Sequence, residues 1–189
     1  MTRKILVTAG SRGIGRAVVE AFLARGDHVV ATARPSSPSY VEISARSAAS
    51  AGQLRIVEFD AMIASDYEHL FDQVASKEGQ VDVLVNNVGD TLRRSPFAES
   101  DDELWVKTFE INVLSAVRCS RLFYPLLKEA SPSVVINVAS IAARTGGAGD
   151  STHYGAAKAA LVALTKGLAS EWGKDQIRVV GVAPSAIDA

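Results

Sequence analysis

The sequence predicts an α/β fold, a parallel sheet covered by helices on both faces. Three observations point to it. Short apolar runs rich in β-branched residues alternate with helix-length segments six times along the 189 residues. The first run passes directly into a glycine-rich turn and then into a helical segment. No internal repeat, low-complexity block or linker divides the chain, so residues 1–189 are expected to form a single domain.

Taken in order, 5–7 reads as a buried strand, followed by Gly10, Gly13 and Gly15 and a helix over 17–24 that Gly26 ends. A second strand covers 28–33. The turn-rich stretch 35–39 leads to a helix over about 40–49, although serines are frequent there. The third strand is 54–59. Ser65, with Glu68 three residues on, has the pattern of a capping box for a helix reaching Lys77, and Gly79 stops it. The fourth strand, 81–85, runs into Asn86-Asn87-Val88-Gly89. A polar loop over 90–100 precedes one long helix over about 101–129, closed by Ser131-Pro132. The fifth strand is 134–138, and 140–151 is a loop rich in glycine and alanine. A helix over about 153–172 and a sixth strand over 177–182 complete the pattern.

Composition excludes several classes of function. Hydrophobic residues make up 48% and charged residues 22%, as in an ordinary globular domain. Twenty basic and 21 acidic residues give a net charge of −1, which offers no field for nucleic acid or a membrane surface. Cys119 is the only cysteine, so neither an intrachain disulfide nor a cysteine metal cluster can form. His28, His69 and His153 show no ligand spacing, and no metal is expected. The N-terminal apolar run ends at Thr8, too short for the core of a signal peptide. No run reaches bilayer-spanning length. A cytoplasmic protein is expected.

The turn Thr8-Ala9-Gly10-Ser11-Arg12-Gly13-Ile14-Gly15 lies between the first strand and first helix. Glycines let backbone approach a ligand, and the free N–H groups of a helix start favour an anion. The stretch resembles the Thr-Gly-x-x-x-Gly-x-Gly turn of the short-chain dehydrogenase/reductase family. Thr8, Gly13 and Gly15 match; Ala9 stands at the family's first glycine, and Gly10 follows one place late. An alanine fits there while its φ stays negative. The resemblance implies a Rossmann-like doubly wound sheet of order 3-2-1-4-5-6, with Ala9, Ser11, Arg12, Gly13, Ile14 and Gly15 against the dinucleotide.

The second strand ends in Ala33-Arg34, with no carboxylate to hold an adenosine ribose, and Arg12 lies inside the turn. Two guanidinium groups suit a 2′-phosphate, so NADP(H) is favoured over NAD(H). In similar proteins an acid at the place of Asp60 bonds the adenine amino group, with Ala61 beside it. Asn86-Asn87-Val88-Gly89 resembles the family's Asn-Asn-Ala-Gly, and Asn87, Val88 and Gly89 would line the adenine–ribose side while asparagine amides tie the sheet end together.

Tyr154 and Lys158 stand four apart, on one helical face, and Ser140 lies fourteen residues before the tyrosine. They match the family's serine and Tyr-x-x-x-Lys, and Asn112 matches the asparagine of its long helix. The resemblance implies a hydride transfer between NADP(H) and a small carbonyl or alcohol. Tyr154 would be the general acid or base, its pKa lowered by the Lys158 ammonium, which would also hold the nicotinamide ribose. Ser140 would orient the substrate oxygen, and Asn112 would hold a water linking Lys158 to solvent. A homodimer or homotetramer is expected on the same ground.

After the sixth strand the pattern frays. Pro184 is followed by Ser185 where the family has Pro-Gly, and Ala189 stands where it has a threonine. The family's usual last strand is missing, so the domain is expected to be incomplete at its C-terminus. That departure keeps open a non-catalytic dinucleotide-binding or regulatory protein of the same fold. A Ser140–His153–aspartate hydrolase is rejected, because no G-x-S-x-G elbow surrounds Ser140.

Overall fold

A computed structural model describes residues 2–185. Six strands, β1 (Lys4–Val7), β2 (His28–Ala33), β3 (Leu54–Glu58), β4 (Val83–Asn86), β5 (Ser133–Val138) and β6 (Ile177–Val182), form one sheet. Its order is β3-β2-β1-β4-β5-β6, and every pairing is parallel. The central register sets Leu6 beside Val30 on one side and Leu84 on the other. The central strands β1, β2 and β4 read as nearly continuous apolar runs because both of their faces are covered.

Strand alternation sends Leu6, Val30, Leu84 and Val135 to one face and Ile5, Val7, Val29 and Val83 to the other. The first face is packed by α3 (Ala64–Glu78), by α5 (Ser115–Glu129) through Phe123 and Leu127, and by Trp172 at the end of α7 (Thr152–Trp172). The second is packed by α1 (Gly13–Leu23) through Val19 and by α2 (Tyr40–Ala49) through Ile43. Beyond β4 a short helix α4 (Asp102–Phe109) starts at Asp101, whose carboxylate accepts from the Leu104 N–H at 2.8 Å. A four-residue helix α6 (Ala142–Thr145) follows β5.

Four local expectations change. Helix α1 starts at Gly13 rather than at residue 17, so Gly13 and Gly15 belong to its first turn. Ser65 does not cap α3: the helix begins at Ala64 after the extended Ile63, which places Ser65 inside the first turn. The helix expected over 101–129 is broken by a π-helical turn, Glu110–Leu114, between α4 and α5. The glycine-rich loop 140–151 contains α6. At Gly79 the expectation stands: φ is 70°, the left-handed conformation that ends a helix.

At the carboxyl edge a buried amide network joins neighbouring strands. Asn86 Nδ2 donates to Asn137 Oδ1 at 2.8 Å and to Ser120 Oγ at 3.0 Å, and Asn137 Nδ2 donates to Thr165 Oγ1 at 2.9 Å. Among the described residues, no helix is long and apolar enough to cross a membrane.

Candidate active site

The strands' carboxyl ends open into a cleft of about 690 Å³. It begins at the turn between β1 and α1, crosses the ends of β2 and β3, and reaches Ser140, Tyr154 and Lys158 beyond β4 and β5. Ala9, Ser11, Arg12, Gly13, Ile14 and Gly15 line the first part, Arg34, Asp60 and Ala61 the adenosine-side wall, and Asn87, Val88, Gly89 and Pro184 the middle. Asn112 does not line it.

The turn is clamped from both sides. Thr8 Oγ1 donates to Val85 O at 3.2 Å and accepts from the Asn87 N–H at 2.9 Å. Asn87 Nδ2 reaches Thr8 O and Ala9 O, both at 3.1 Å. The Ala9 N–H donates to Thr32 Oγ1 at 3.0 Å, and the Gly10 N–H to Thr32 O at 2.8 Å. Under this clamp Ala9 has φ 53°, so the expectation of a negative φ fails. Gly10 serves a different need: a Cβ there would lie 2.8 Å from Ala31 Cβ and 3.0 Å from Val19 Cγ2. Gly15 is required by close approach, since a Cβ would fall 2.2 Å from Ala9 O and 2.5 Å from Asn87 Nδ2.

Helix α1 starts without a side-chain cap and without an acid in its first turn. Gly13, Ile14 and Gly15, whose N–H groups have no partner within the helix, line the cleft, which fits the phosphates of a dinucleotide. Arg12 and Arg34 are exposed and form no ion pair among the described residues. Ser37, which the sequence reading left in a turn, also lines this end, and its hydroxyl lies 3.2 Å from Ser11 Oγ. The serines of Pro35-Ser36-Ser37-Pro38-Ser39, following Arg34, are the signal for it. Thr32, Phe59, Val138 and Ala139 were missed as well; each sits at or next to a strand's carboxyl end. Asp60 Oδ1 accepts from the Met62 N–H at 2.9 Å, so one carboxylate oxygen is engaged in its own loop.

At the far end Lys158 is buried, 3% exposed, and its Nζ donates to Val138 O at 3.0 Å. Burial pulls its pKa from 10.5 down to about 8. Tyr154 does not show the expected lowering. Burial pushes the phenol up, a hydrogen bond with Ser140 acts downward, and the Asp90 carboxylate adds a further upward push. Lys158 Nζ stands 5.6 Å from the tyrosine ring centre and is tied to a backbone carbonyl, which explains why the ammonium does not offset the burial.

Asn112 is fully buried in the π-helical turn, with its amide divided among neighbours. Nδ2 donates to Asp90 O at 2.7 Å and Thr108 O at 2.9 Å, and Oδ1 accepts from the Asp90 N–H at 3.2 Å. Gly89 lies between it and Lys158: a Cβ on Gly89 would be 2.7 Å from Lys158 Nζ and 2.8 Å from Asn112 Oδ1. Ala189 lies outside the described residues.

Comparison with known proteins places this geometry. The family model described as short chain dehydrogenase matches residues 3–189. Dehydrogenase/reductase SDR family member 4 of Caenorhabditis elegans is 34% identical over 185 residues, 96% of this chain and 70% of that protein. The 3-oxoacyl-(acyl-carrier-protein) reductase FabG of Chlamydia pneumoniae is 34% identical over 187 residues, 98% of this chain and 74% of its own length. Among solved structures, a short-chain dehydrogenase from Streptomyces avermitilis superposes with a TM-score of 0.90 at 32% identity, covering 100% of this chain and 67% of that one. The NADH-dependent reductase A1-R′, responsible for alginate metabolism, gives 0.91 at 26% identity, covering 99% and 78%.

Two outcomes follow from the site's strain and burial. Ala9→Gly removes a left-handed alanine worth about 1–2 kcal/mol and adds glycine's chain entropy, about 0.5–1 kcal/mol. A net gain of about 0.5–1 kcal/mol in urea denaturation is expected. For Lys158 the folded pKa lies below the unfolded one, so between about pH 8 and 10.5 the unfolded chain holds a proton that the folded chain has released. Stability from this group therefore rises with pH across that window, and below it the buried ammonium costs ~3 kcal/mol. Lys158→Met should be the more stable protein at pH 7, less the lost bond to Val138, and that advantage should shrink by pH 10. Urea midpoints at the two pH values check it.

Proposed function

This chain belongs to the short-chain dehydrogenase family, and from that membership we propose that it is an NADP(H)-dependent oxidoreductase acting on a small carbonyl or alcohol. The observation that carries the reading is the single cleft that joins an uncapped helix start to Ser140, Tyr154 and Lys158. NADP(H) supplies the hydride when bound. In carbonyl reduction Tyr154 donates the proton that the developing alkoxide needs, and in alcohol oxidation it accepts one. Ser140 lies beside the phenol, close enough to act on its pKa, and would donate to the same substrate oxygen. Lys158 presents a buried cation beside the tyrosine ring, where it can hold ribose hydroxyls and favour the phenolate once its bond to Val138 O is shared. Asn112 is a positioning residue here: it fixes Asp90 and shapes the backbone beside Lys158. A water held by Asn112 as a link to solvent is part of the same proposal, as are a homo-oligomeric assembly and one catalytic unit spanning 1–189.

Preference for the phosphorylated cofactor rests on Arg12 and Arg34, which line the cleft together with Ser11 and Ser37, and on the absence of a carboxylate at the end of β2. Guanidinium groups make strong, directional bonds to a phosphate monoester. Reductases acting on 3-oxoacyl groups and a 7α-hydroxysteroid dehydrogenase stand among the relatives, so the substrate search starts with β-ketoacyl thioesters, steroids, simple ketones and quinones.

Two measurements test the proposal. NADPH absorbance should fall with at least one member of that panel, and Tyr154→Phe should lose most turnover, on the order of 10²-fold or more, with NADPH affinity nearly parental. Near-parental turnover would refute the tyrosine's role. Arg34→Ala should weaken NADPH binding by about tenfold and leave NADH binding unchanged, as read by cofactor fluorescence. Equal affinity of the parent protein for both cofactors would overturn the preference.

A further inference from the structure

The residue before the tyrosine is a buried histidine that the proposed chemistry does not use. His153 is 1% exposed, and its Nε2 lies 3.1 Å from Thr91 O. A carbonyl oxygen only accepts, so Nε2 carries the hydrogen and donates. The ring also meets Trp105 of α4 edge-on, with centres 6.2 Å apart. Trp105 is itself fixed: its Nε1 donates to Ser100 Oγ at 3.0 Å, and Phe97 stands T-shaped against it at 6.1 Å.

This anchorage matters because of where α7 begins. Tyr154 is the third residue of the helix, within the turn whose N–H groups have no intrahelical partner. The preceding Ser151 does not cap that turn; its hydroxyl donates instead to Ala148 O at 2.7 Å. The first turn is therefore held by side-chain and loop contacts on either side of the tyrosine. After it, Gly155 packs on the backbone of the 146–147 loop so closely that a Cβ would lie 2.3 Å from Gly146 O. Before it, His153 fastens the turn to Thr91. The segment beyond Thr91 is tied to the opposite loop in turn, by the Ser95 N–H to Asp150 O at 2.8 Å and by Arg94 Nη1 to Ala148 O at 2.8 Å.

We infer that His153 is a positioning residue for the reaction: by donating from Nε2 to the Thr91 carbonyl it fixes the first turn of α7, and with it the place of the Tyr154 phenol. The inference rests on the proposed role of Tyr154. Misplacing a reacting group by an ångström is enough to cost large factors in rate without changing what the protein binds.

The experiment compares His153→Leu, which removes the donor, with His153→Gln, whose amide can reach Thr91 O in place of Nε2. NADPH oxidation by an acetoacetyl thioester and by an o-quinone reads kcat and KM, and amide hydrogen exchange reads the first turn of α7. Expected for His153→Leu is a loss of kcat on the order of tenfold, cofactor affinity within about twofold, and faster exchange confined to residues 152–156. Expected for His153→Gln is recovery of most of the kcat and of the slow exchange, with the parent's pH profile retained. Equal kcat in the two variants, or a fall in cofactor affinity matching the fall in kcat, overturns the inference. Loss of one limb of the pH profile in His153→Gln also overturns it, because the histidine would then be an acid or base. Tyr154→Phe is measured alongside. If it remains active, the proposed chemistry has failed; if it is inactive while His153→Leu is parental, only the positioning role has. Should neither substrate be turned over, unchanged exchange at 152–156 in His153→Leu still refutes it.

Discussion

The structure depends first on the clamp that holds Thr8 and Ala9. An alanine at φ 53° costs about 1–2 kcal/mol, and nothing in its own side chain offsets that. Hydrogen bonds on both sides do: the Ala9 N–H to Thr32 on β2, and Ala9 O and Thr8 O to Asn87 beyond β4. At about 1 kcal/mol each, these bonds outweigh the strain. They also join three adjacent strand ends at one point. The turn can then deliver the start of α1 to the cleft with its N–H groups uncapped. Any side chain at Gly15 would strike this clamp, so the glycine requirement and the alanine's strain have one cause.

A second cost is taken at the other end of the cleft. Lys158 is buried with one carbonyl partner, and no carboxylate contributes to its shift. A fold selected for stability alone would place a methionine or leucine there. Desolvation makes the cation's field strong in its neighbourhood, because little water screens it. The same desolvation raises the Tyr154 phenol, so the pair is not tuned as the sequence pattern suggested. On the proposed reading Lys158, 5.6 Å from the ring centre, would favour the phenolate once its bond to Val138 O is shared.

Much of this was legible in the residues, and the exceptions have physical reasons. The limits of β2 and β6 are those read from the sequence: β2 is an almost wholly buried run, and β6, more exposed and carrying Arg178, is still rich in β-branched residues. The start of α1 was read late because glycine is a poor helix former, and Gly13, which opens the helix, has φ 53°, a conformation that favours glycine. The π-helical turn at 110–114 left no mark in composition. It appears once Asn112 is seen to spend its amide on Thr108 O, within its own helix, and on Asp90. Ser65 followed a local capping rule that Ile63 and the chain's entry into α3 override. The cleft residues named from motifs are those whose spacing is local; Ser37 and Phe59 come to the cleft through strand order, which spacing does not carry.

The two ends of the cleft differ in a way that divides the work. Arg12 and Arg34 stand in solvent, so their attraction for a phosphate is screened and falls with salt. Ser140, Tyr154 and Lys158 are partly or wholly withdrawn from water, so their interactions are short-range, strong and sensitive to pH. On the proposed reading, ionic strength should then act on cofactor affinity and pH on turnover, with little exchange between them. The sheet supplies that separation. β1 and β4 lie between Arg34, just after β2, and Val138 on β5, whose carbonyl holds Lys158, and their ends are clamped together through Thr8 and Asn87.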